Sequence, residues 1–191
     1  MVGILLAAGF SRRFGASDKL LHRLPDGRPI ALAAAQNLIK AVPLTIAVVR
    51  PENKELAGLL LNAGLRVVFC GKQDREMADS LSAAVRFSAN LSESSDGFMI
   101  ALADMPYIDP PTITAVATKL SLGAAIVMPI YHGQRGHPVG FAAKFRRELE
   151  NLHGDEGARS ILKNYPNEIC MLESDDAGIL ADIDKPADLT S

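Results

Sequence analysis

Short apolar runs alternate with helix-like segments over the first 130 residues, and this alternation constrains the fold more than any other feature. The predicted strands span residues 2–7, 44–50, 65–70, 97–103 and 124–130. The predicted helices between them span residues 30–41, 52–63, 79–90 and 110–120. Strands that alternate with helices form parallel sheets, because each helical crossover returns the chain to the same end of the sheet. We therefore expect an α/β fold, a three-layer α/β/α sandwich with a Rossmann-like, mostly parallel sheet.

The pattern is less regular after residue 130. We interpret residues 131–138 as a loop, 144–152 and 157–165 as helices, and 139–142, 168–172 and 179–183 as further short strands. No repeat, linker or low-complexity stretch interrupts the sequence. A single domain over residues 1–191 is therefore the expected organisation.

Charge and cysteine content argue against several classes of protein. The formal net charge of −2 gives no general attraction to nucleic acid or to a membrane surface. The apolar runs are too short to cross a bilayer, and the N-terminus lacks the basic region of a secretory signal. Cys70 and Cys170 lie in apolar contexts without metal-ligand spacing, as expected of buried thiols in a reducing compartment. We expect a cytoplasmic protein with no nucleic-acid or membrane partner.

A basic loop that contains glycine follows the first predicted strand and ends on Asp18 and Lys19. Glycine lets the backbone approach a ligand, free N–H groups bind phosphate oxygens, and basic side chains balance the charge. The loop is not a Walker A motif, because no Gly-Lys-Ser/Thr follows Gly9 and Gly15, and it contains no G-x-G-x-x-G. Taken alone, it is consistent either with a polyphosphate site or with a polar turn between a strand and a helix.

Further polar residues fall where predicted strands end. Asp104 follows an apolar run, residues 133–138 follow another, and Asp182 and Asp184 lie near the C-terminus. Ligands of open parallel sheets bind at the carboxyl ends of strands, so we expect these features to converge with the basic loop in one active site. Carboxylates from two distant segments suit Mg²⁺, which takes its other ligands from phosphate and water. Each acid also has a structural explanation, since Asp104 could cap a turn and Asp184 a helix.

Taken together, these motifs resemble those of the MobA-like nucleotidyltransferases. The family signature L-A-[AG]-G-x-S-x-R-[MF]-G-x-x-K corresponds to LLAAGFSRRFGASDKLL, its metal-binding Asp-Met/Gln-Pro to LADMPYI, and its nucleotide-contact helix to ADSLSAAV. The segments YHGQRGHPVGF and GDEGARSIL resemble the later signatures of the molybdenum cofactor cytidylyltransferase branch, and DIDKPADL resembles the closing Asp-x-Asp-Thr-Pro-x-Asp-Leu. The matches follow the family's order from residue 4 to residue 189. Two positions depart from it: three residues separate Gly15 from Lys19 where the signature has two, and Lys185 replaces a threonine.

The resemblance implies the fold of the nucleotide-diphospho-sugar transferases and a role for each matched residue. Nucleotide contacts are implied for Leu6, Ala7, Ala8, Gly9, Ser11 and Ser80, and triphosphate contacts for Arg13 and Lys19. Metal ligands are implied at Asp104 and Asp184, with Asp182 the weaker candidate, and acceptor contacts at Arg135, Gly136 and His137.

The implied reaction transfers a nucleoside monophosphate to the phosphate of a molybdopterin-type cofactor, with Mg²⁺ and release of pyrophosphate. CTP is the expected donor. The corresponding segment of the guanylyl-transferring relatives resembles Leu-Ala-Gly-Gly, so Ala8 replaces the first of their two glycines. The methyl group of Ala8 leaves less room for a purine. A molybdenum hydroxylase apoenzyme is the expected protein partner. Two alternatives stay open: another phosphorylated acceptor, such as a sugar or polyol phosphate, or a non-catalytic accessory protein that binds the finished cofactor. The presence of Lys19, Asp104 and Asp184 favours an enzyme over a non-catalytic accessory protein.

Overall fold

One mixed sheet forms the centre of the computed structural model, which describes residues 1–9, 18–71, 77–91, 96–154, 157–185 and 187–188. Within these ranges eight strands build it: β1 Val2–Ala7, β2 Thr45–Val49, β3 Arg66–Phe69, β4 Phe98–Leu102, β5 Ile126–Tyr131, β6 Gln134–Arg135, β7 Val139–Phe141 and β8 Ile169–Glu173. The order is β3-β2-β1-β4-β7-β5, and β6 and β8 both pair with β5. β7 is antiparallel to β4 and β5, whereas the pairs among β1–β4 and the β5–β8 pair are parallel. The expected mostly parallel sheet is confirmed.

Helices cover both faces of this sheet. In the described ranges they are α1 Ile30–Ala41, α2 Lys54–Asn62, α3 Met77–Phe87, α4 Pro110–Ser121, α5 Arg146–Glu150 and α6 Arg159–Asn164. α1, α2 and α4 bury side chains in one apolar cluster, and α3, α5 and α6 in another. The side chains of β1 alternate between the clusters, with Leu5 and Ala7 in the first and Val2 and Ile4 in the second. The sandwich therefore has the three expected layers. Among the described helices, none has the length and apolar character needed to span a bilayer.

The segment predicted as a loop over residues 131–138 is largely a β-hairpin. Tyr131 pairs with Gln134, so only His132 and Gly133 form the turn. Both turn residues have positive φ, 48° and 77°, as in tight two-residue hairpin turns. The loop prediction was wrong because His132 stands where Asn or Asp would have indicated such a turn. The hairpin lies at the carboxyl end of β5, on the same edge of the sheet as the carboxyl ends of β1 and β4.

The segment predicted as a strand over residues 179–183 is not a strand. Ala177–Leu180 form a 3-10 helix whose cap, Asp176, accepts a hydrogen bond from the Gly178 amide at 2.8 Å. A side chain that bonds its own backbone offers the chain an alternative to a sheet ladder, and here that alternative prevails. The buried side chains of Ile179 and Ile183 supply the apolar pattern that suggested a strand. We call residues 176–184 the C-terminal strap.

Candidate active site

Three charged side chains that are distant in sequence meet at the carboxyl edge of the sheet. The Lys19 Nζ lies 2.8 Å from an oxygen of Asp104 and 3.4 Å from an oxygen of Asp184. The Lys19 side chain is 13% exposed, and the two carboxylates are 25% and 44% exposed. One ammonium group is therefore shared by two carboxylates in a partly buried position, where water screens their attraction less than on an open surface. We call these three residues the charged cluster.

A short 3-10 helix that begins at Lys19 presents this side chain. Asp18 caps the helix by accepting from the Leu20 amide at 2.9 Å. The side-chain amide of Asn53 donates to the other oxygen of Asp18, and Asn53 itself caps α2 by accepting from the Leu56 amide at 3.2 Å. These bonds fix Lys19 relative to α2 and to the end of β2.

Two backbone hydrogen bonds, one at Ala103 and one at Asp104 itself, hold the end of β4 in place. The Ala103 amide donates to the Leu6 carbonyl at 3.1 Å, which continues the pairing of β4 with β1. The Ile183 amide, from the C-terminal strap, donates to the Asp104 carbonyl at 2.9 Å. The carboxylate is thus left to pair with Lys19 rather than to cap a turn.

Asp184 is held at the end of the strap by a second acid. One oxygen of Asp188 accepts from the amides of Asp184 and Lys185, at 2.9 and 2.8 Å. These two backbone bonds hold the pKa of the Asp188 carboxyl below its ordinary value. Asp182 is exposed, and its neighbour Ile183 is buried. Asp184, rather than the weaker candidate Asp182, is therefore the acid that reaches Lys19.

The adjacent residues Arg135, Gly136 and His137 lie in different environments. Arg135 is exposed, whereas Gly136 is buried where a Cβ would lie 2.5 Å from the Ile179 carbonyl oxygen. The buried Nδ1 of His137 has no hydrogen-bond partner among the described residues. Burial lowers the pKa of His137, and the nearby negative charge of Asp104 opposes this in part. The imidazole is therefore neutral at pH 7 and lies within electrostatic reach of the charged cluster.

The predicted nucleotide-binding residues are only partly covered by the structure. Those described are Leu6, Ala7, Ala8, Gly9 and Ser80, whereas Ser11 and the triphosphate candidate Arg13 lie outside the described residues. Gly9 is exposed directly after the buried Ala8. Arg50 Nε donates to the Ala8 carbonyl at 2.7 Å, so the end of β2 holds the start of the loop. Ser80 is 4% exposed on α3, which packs against β1 and β2.

The oxygen atoms of the charged cluster fit a hard divalent cation. Both carboxylates lie within 3.4 Å of one positive charge, so both can face a single cation. The described ranges contain no group of three or more His, Cys, Asp or Glu arranged to hold a metal. Phosphate and water oxygens would have to complete the coordination, which is the usual pattern of Mg²⁺ at a nucleotide and differs from a closed zinc site.

Sequence reasoning missed Arg50, Asn53 and Asp188. Arg50 follows β2 at the same edge of the sheet, so the strand-end rule that singled out Asp104 could have found it. Asp188 stands four residues after Asp184, a spacing that permits a local bond between side chain and backbone. Asn53 reaches Asp18 across 35 residues and leaves no local signal.

Comparisons with known proteins identify the family of the chain. The MobA-like NTP transferase domain matches residues 3–169. The purine catabolism protein PucB of Bacillus subtilis (strain 168) is 29% identical over 196 residues, covering 97% of this chain and 92% of PucB. The crystal structure of Rv0371c from Mycobacterium tuberculosis H37Rv has a TM-score of 0.82 and 25% identity, covering 100% of this chain and 97% of that one. Its complex with manganese has a TM-score of 0.78 and 22% identity, covering 99% and 95%. Because the family match spans most of the chain, the protein belongs to the MobA-like NTP transferases and is a nucleotidyltransferase.

Proposed function

We propose that the protein transfers CMP from CTP to the phosphate of a molybdopterin-type cofactor and releases pyrophosphate. The observation that carries this proposal is the charged cluster. In it Lys19 lies between Asp104 and Asp184, at the edge of the sheet where β1 leads into the basic loop. A triphosphate bound at that edge needs cations on one side and a metal-holding pair of carboxylates on the other. The charged cluster offers both within a few ångströms.

The reaction needs positioning and charge neutralisation more than it needs covalent catalysis. An acceptor phosphate oxygen attacks the α-phosphorus of CTP, the bond from that phosphorus to the β-phosphate oxygen breaks, and pyrophosphate leaves. The acceptor phosphate is already ionised at neutral pH, so no general base is required. Lys19 and Arg13 would bind the triphosphate oxygens and balance their charge. Mg²⁺ held by Asp104 and Asp184 would neutralise the charge that develops on the leaving group.

The choice of CTP rests on Ala8. Its side chain belongs to the apolar cluster that also contains Ala78 and Leu81 of α3, the helix that carries Ser80. Ser80 is the residue predicted to contact the base or the ribose, so a base bound beside it would lie near the position of Ala8, and a methyl group there would leave less room for a purine than a glycine. One methyl discriminates between bases only modestly, by about 1–3 kcal/mol, so we expect a preference for CTP over GTP rather than exclusion of GTP.

The acceptor proposal rests on the resemblance of the hairpin segment and of residues 154–162 to the molybdenum cofactor branch. PucB is described as a purine catabolism protein. A molybdenum hydroxylase that acts on purines would be a suitable recipient of the finished dinucleotide cofactor, and we propose such an apoenzyme as the partner.

An acceptor screen tests the function. The purified chain is incubated with Mg²⁺, with CTP or GTP, and with molybdopterin cofactor, a sugar phosphate or a polyol phosphate, and pyrophosphate is measured. We expect release with CTP and the molybdopterin cofactor, and none with the Asp104→Ala variant as control. Release with another acceptor would replace the proposed substrate. Cofactor binding without any release would identify an accessory protein.

Arg135→Ala provides a second test of the acceptor assignment. Arg135 lies on the hairpin after β5, whereas the basic loop follows β1. We expect the variant to raise the acceptor KM and to leave the CTP KM unchanged. The opposite pattern would move the nucleotide, rather than the acceptor, to the hairpin side of the cleft.

A further inference from the structure

One carboxylate, that of Asp176, connects the start of the C-terminal strap to the loop after β4. One oxygen of Asp176 accepts from the Asp109 amide at 2.9 Å, and the other accepts from the Gly178 amide at 2.8 Å. Asp109 ends the loop that begins at Asp104, and Gly178 lies at the start of the segment that leads to Asp184. Asp176 therefore links the two segments that carry the carboxylates of the charged cluster.

The strap also fits closely against its surroundings along its length. Gly178 lies against the Tyr107 carbonyl, where a Cβ would collide with the backbone. The Ile179 carbonyl accepts from the His137 amide at 3.0 Å, and the Ile183 amide donates to the Asp104 carbonyl at 2.9 Å. These contacts allow the strap only one alignment along the loop after β4 and along the hairpin.

We propose that Asp176 is a positioning residue for nucleotidyl transfer, which sets the register of the strap so that Asp184 reaches Lys19 and Asp104. The metal-binding part of this inference rests on the proposed function. The carboxylate of Asp176 bonds the amides of Asp109 and Gly178 rather than the charged cluster, so it would act through the strap. Outer partners that orient metal ligands are often worth about 10–100-fold in metal affinity or activity.

The chemistry of the two bonds predicts a graded response to substitution. Asp176 uses both oxygens, one for each segment, so Asp176→Asn keeps one acceptor and replaces the other with an amide donor. Asp176→Ala loses both acceptors and leaves two backbone amides unpaired. The adjacent Asp175 is exposed and offers a matched control that removes the same charge at the neighbouring position.

The test compares Asp176→Ala, Asp176→Asn and Asp175→Ala with the wild type. Electron paramagnetic resonance measures Mn²⁺ affinity in the presence of CTP without acceptor, and NMR measures amide hydrogen exchange at His137 and Ile183. We expect Asp176→Ala to weaken Mn²⁺ binding about 10-fold and to speed exchange at both amides, Asp176→Asn to have smaller effects, and Asp175→Ala to match the wild type.

Three outcomes would decide against the inference or separate it from the proposed function. Unchanged Mn²⁺ affinity and exchange in Asp176→Ala would overturn it. A lower melting temperature without either local change would also overturn it, since that result describes a merely structural residue. If the wild type binds no Mn²⁺ with CTP, the proposed function fails, and exchange at His137 and Ile183 alone then decides whether Asp176 sets the register. Should the alanine variant not fold, the asparagine variant carries the same comparison.

Discussion

Replacing Lys19 with methionine should strengthen metal binding in the absence of nucleotide. Lys19 Nζ lies 2.8 and 3.4 Å from two carboxylate oxygens, so a metal that binds both acids must displace this ammonium or tolerate its repulsion. Even at the dielectric constant of water, Coulomb attraction at these distances amounts to about 1.5 and about 1.2 kcal/mol. Salt and the entropy of a long side chain reduce the sum to about 1–2 kcal/mol. We therefore expect Lys19→Met to bind Mn²⁺ about 5–30-fold more tightly than the wild type.

Nucleotide binding should change in the opposite direction to metal binding. The variant lacks a cation for the triphosphate, so its affinity for CTP should fall by about 1.5–3 kcal/mol, the value of a hydrogen bond to a charged group. Mn²⁺ titrations followed by electron paramagnetic resonance, with and without CTP, measure both effects. Lys40→Met on the exposed end of α1 controls for the loss of one positive charge. Equal or weaker Mn²⁺ binding by Lys19→Met without nucleotide would refute the shared-cation reasoning.

Three further predictions follow from the site. Asp104→Ala should lower transfer at saturating Mg²⁺ at least about 100-fold while far-UV circular dichroism stays unchanged, because the side chain bonds Lys19 and not the core; turnover within a few-fold of the wild type would contradict this. Asp188→Asn should keep most activity, since one oxygen accepts from both amides, whereas Asp188→Ala should displace Asp184 and lower kcat several-fold; equal kcat values for the two variants would argue against this role. The pKa of His137 is lowered by burial, so the unfolded chain gains a proton near pH 6.5 before the folded protein does. Its contribution to stability is thus full above that pH and is lost below it. Denaturant melts from pH 7.5 to 5.5 should show a smaller loss of unfolding free energy for His137→Gln than for the wild type, and parallel losses would count against the buried neutral imidazole.

Elements with a clear local pattern were predictable from the sequence. The predicted bounds of β1 and α1, residues 2–7 and 30–41, are those of the structure. β1 is a short continuous apolar run and α1 is rich in alanine, so no distant contact is needed to recognise them. The strand-end rule also placed Asp104 and the basic loop on one edge, and Lys19 reaches that edge although one extra residue precedes it.

Elements defined by distant partners were not predictable in the same way. β7 has three residues, and its place between β4 and β5 depends on pairings such as Ile100 with Val139 that no local pattern encodes. The strap turns rather than extends because Asp176 bonds an amide 67 residues away in addition to its own. The links from Asp18 to Asn53 and from Arg50 to the Ala8 carbonyl are likewise long-range. These connections are made by tertiary structure, and they hold the site in place.

The reversed direction of β7 has a consequence for how the hairpin, the proposed acceptor side of the site, can diversify. Since β7 pairs antiparallel with both β4 and β5, the segment that enters it starts at the same edge of the sheet at which β5 ends. Residues 131–135 of the hairpin therefore lie between β5 and the entry to β7, and they can change in length or composition without altering the strand order of the sheet. The basic loop follows β1, and the strands β4 and β7 separate β1 from β5 in the sheet. We expect an exchange of residues 131–135 between relatives to alter acceptor preference while the recipient keeps its own nucleotide preference.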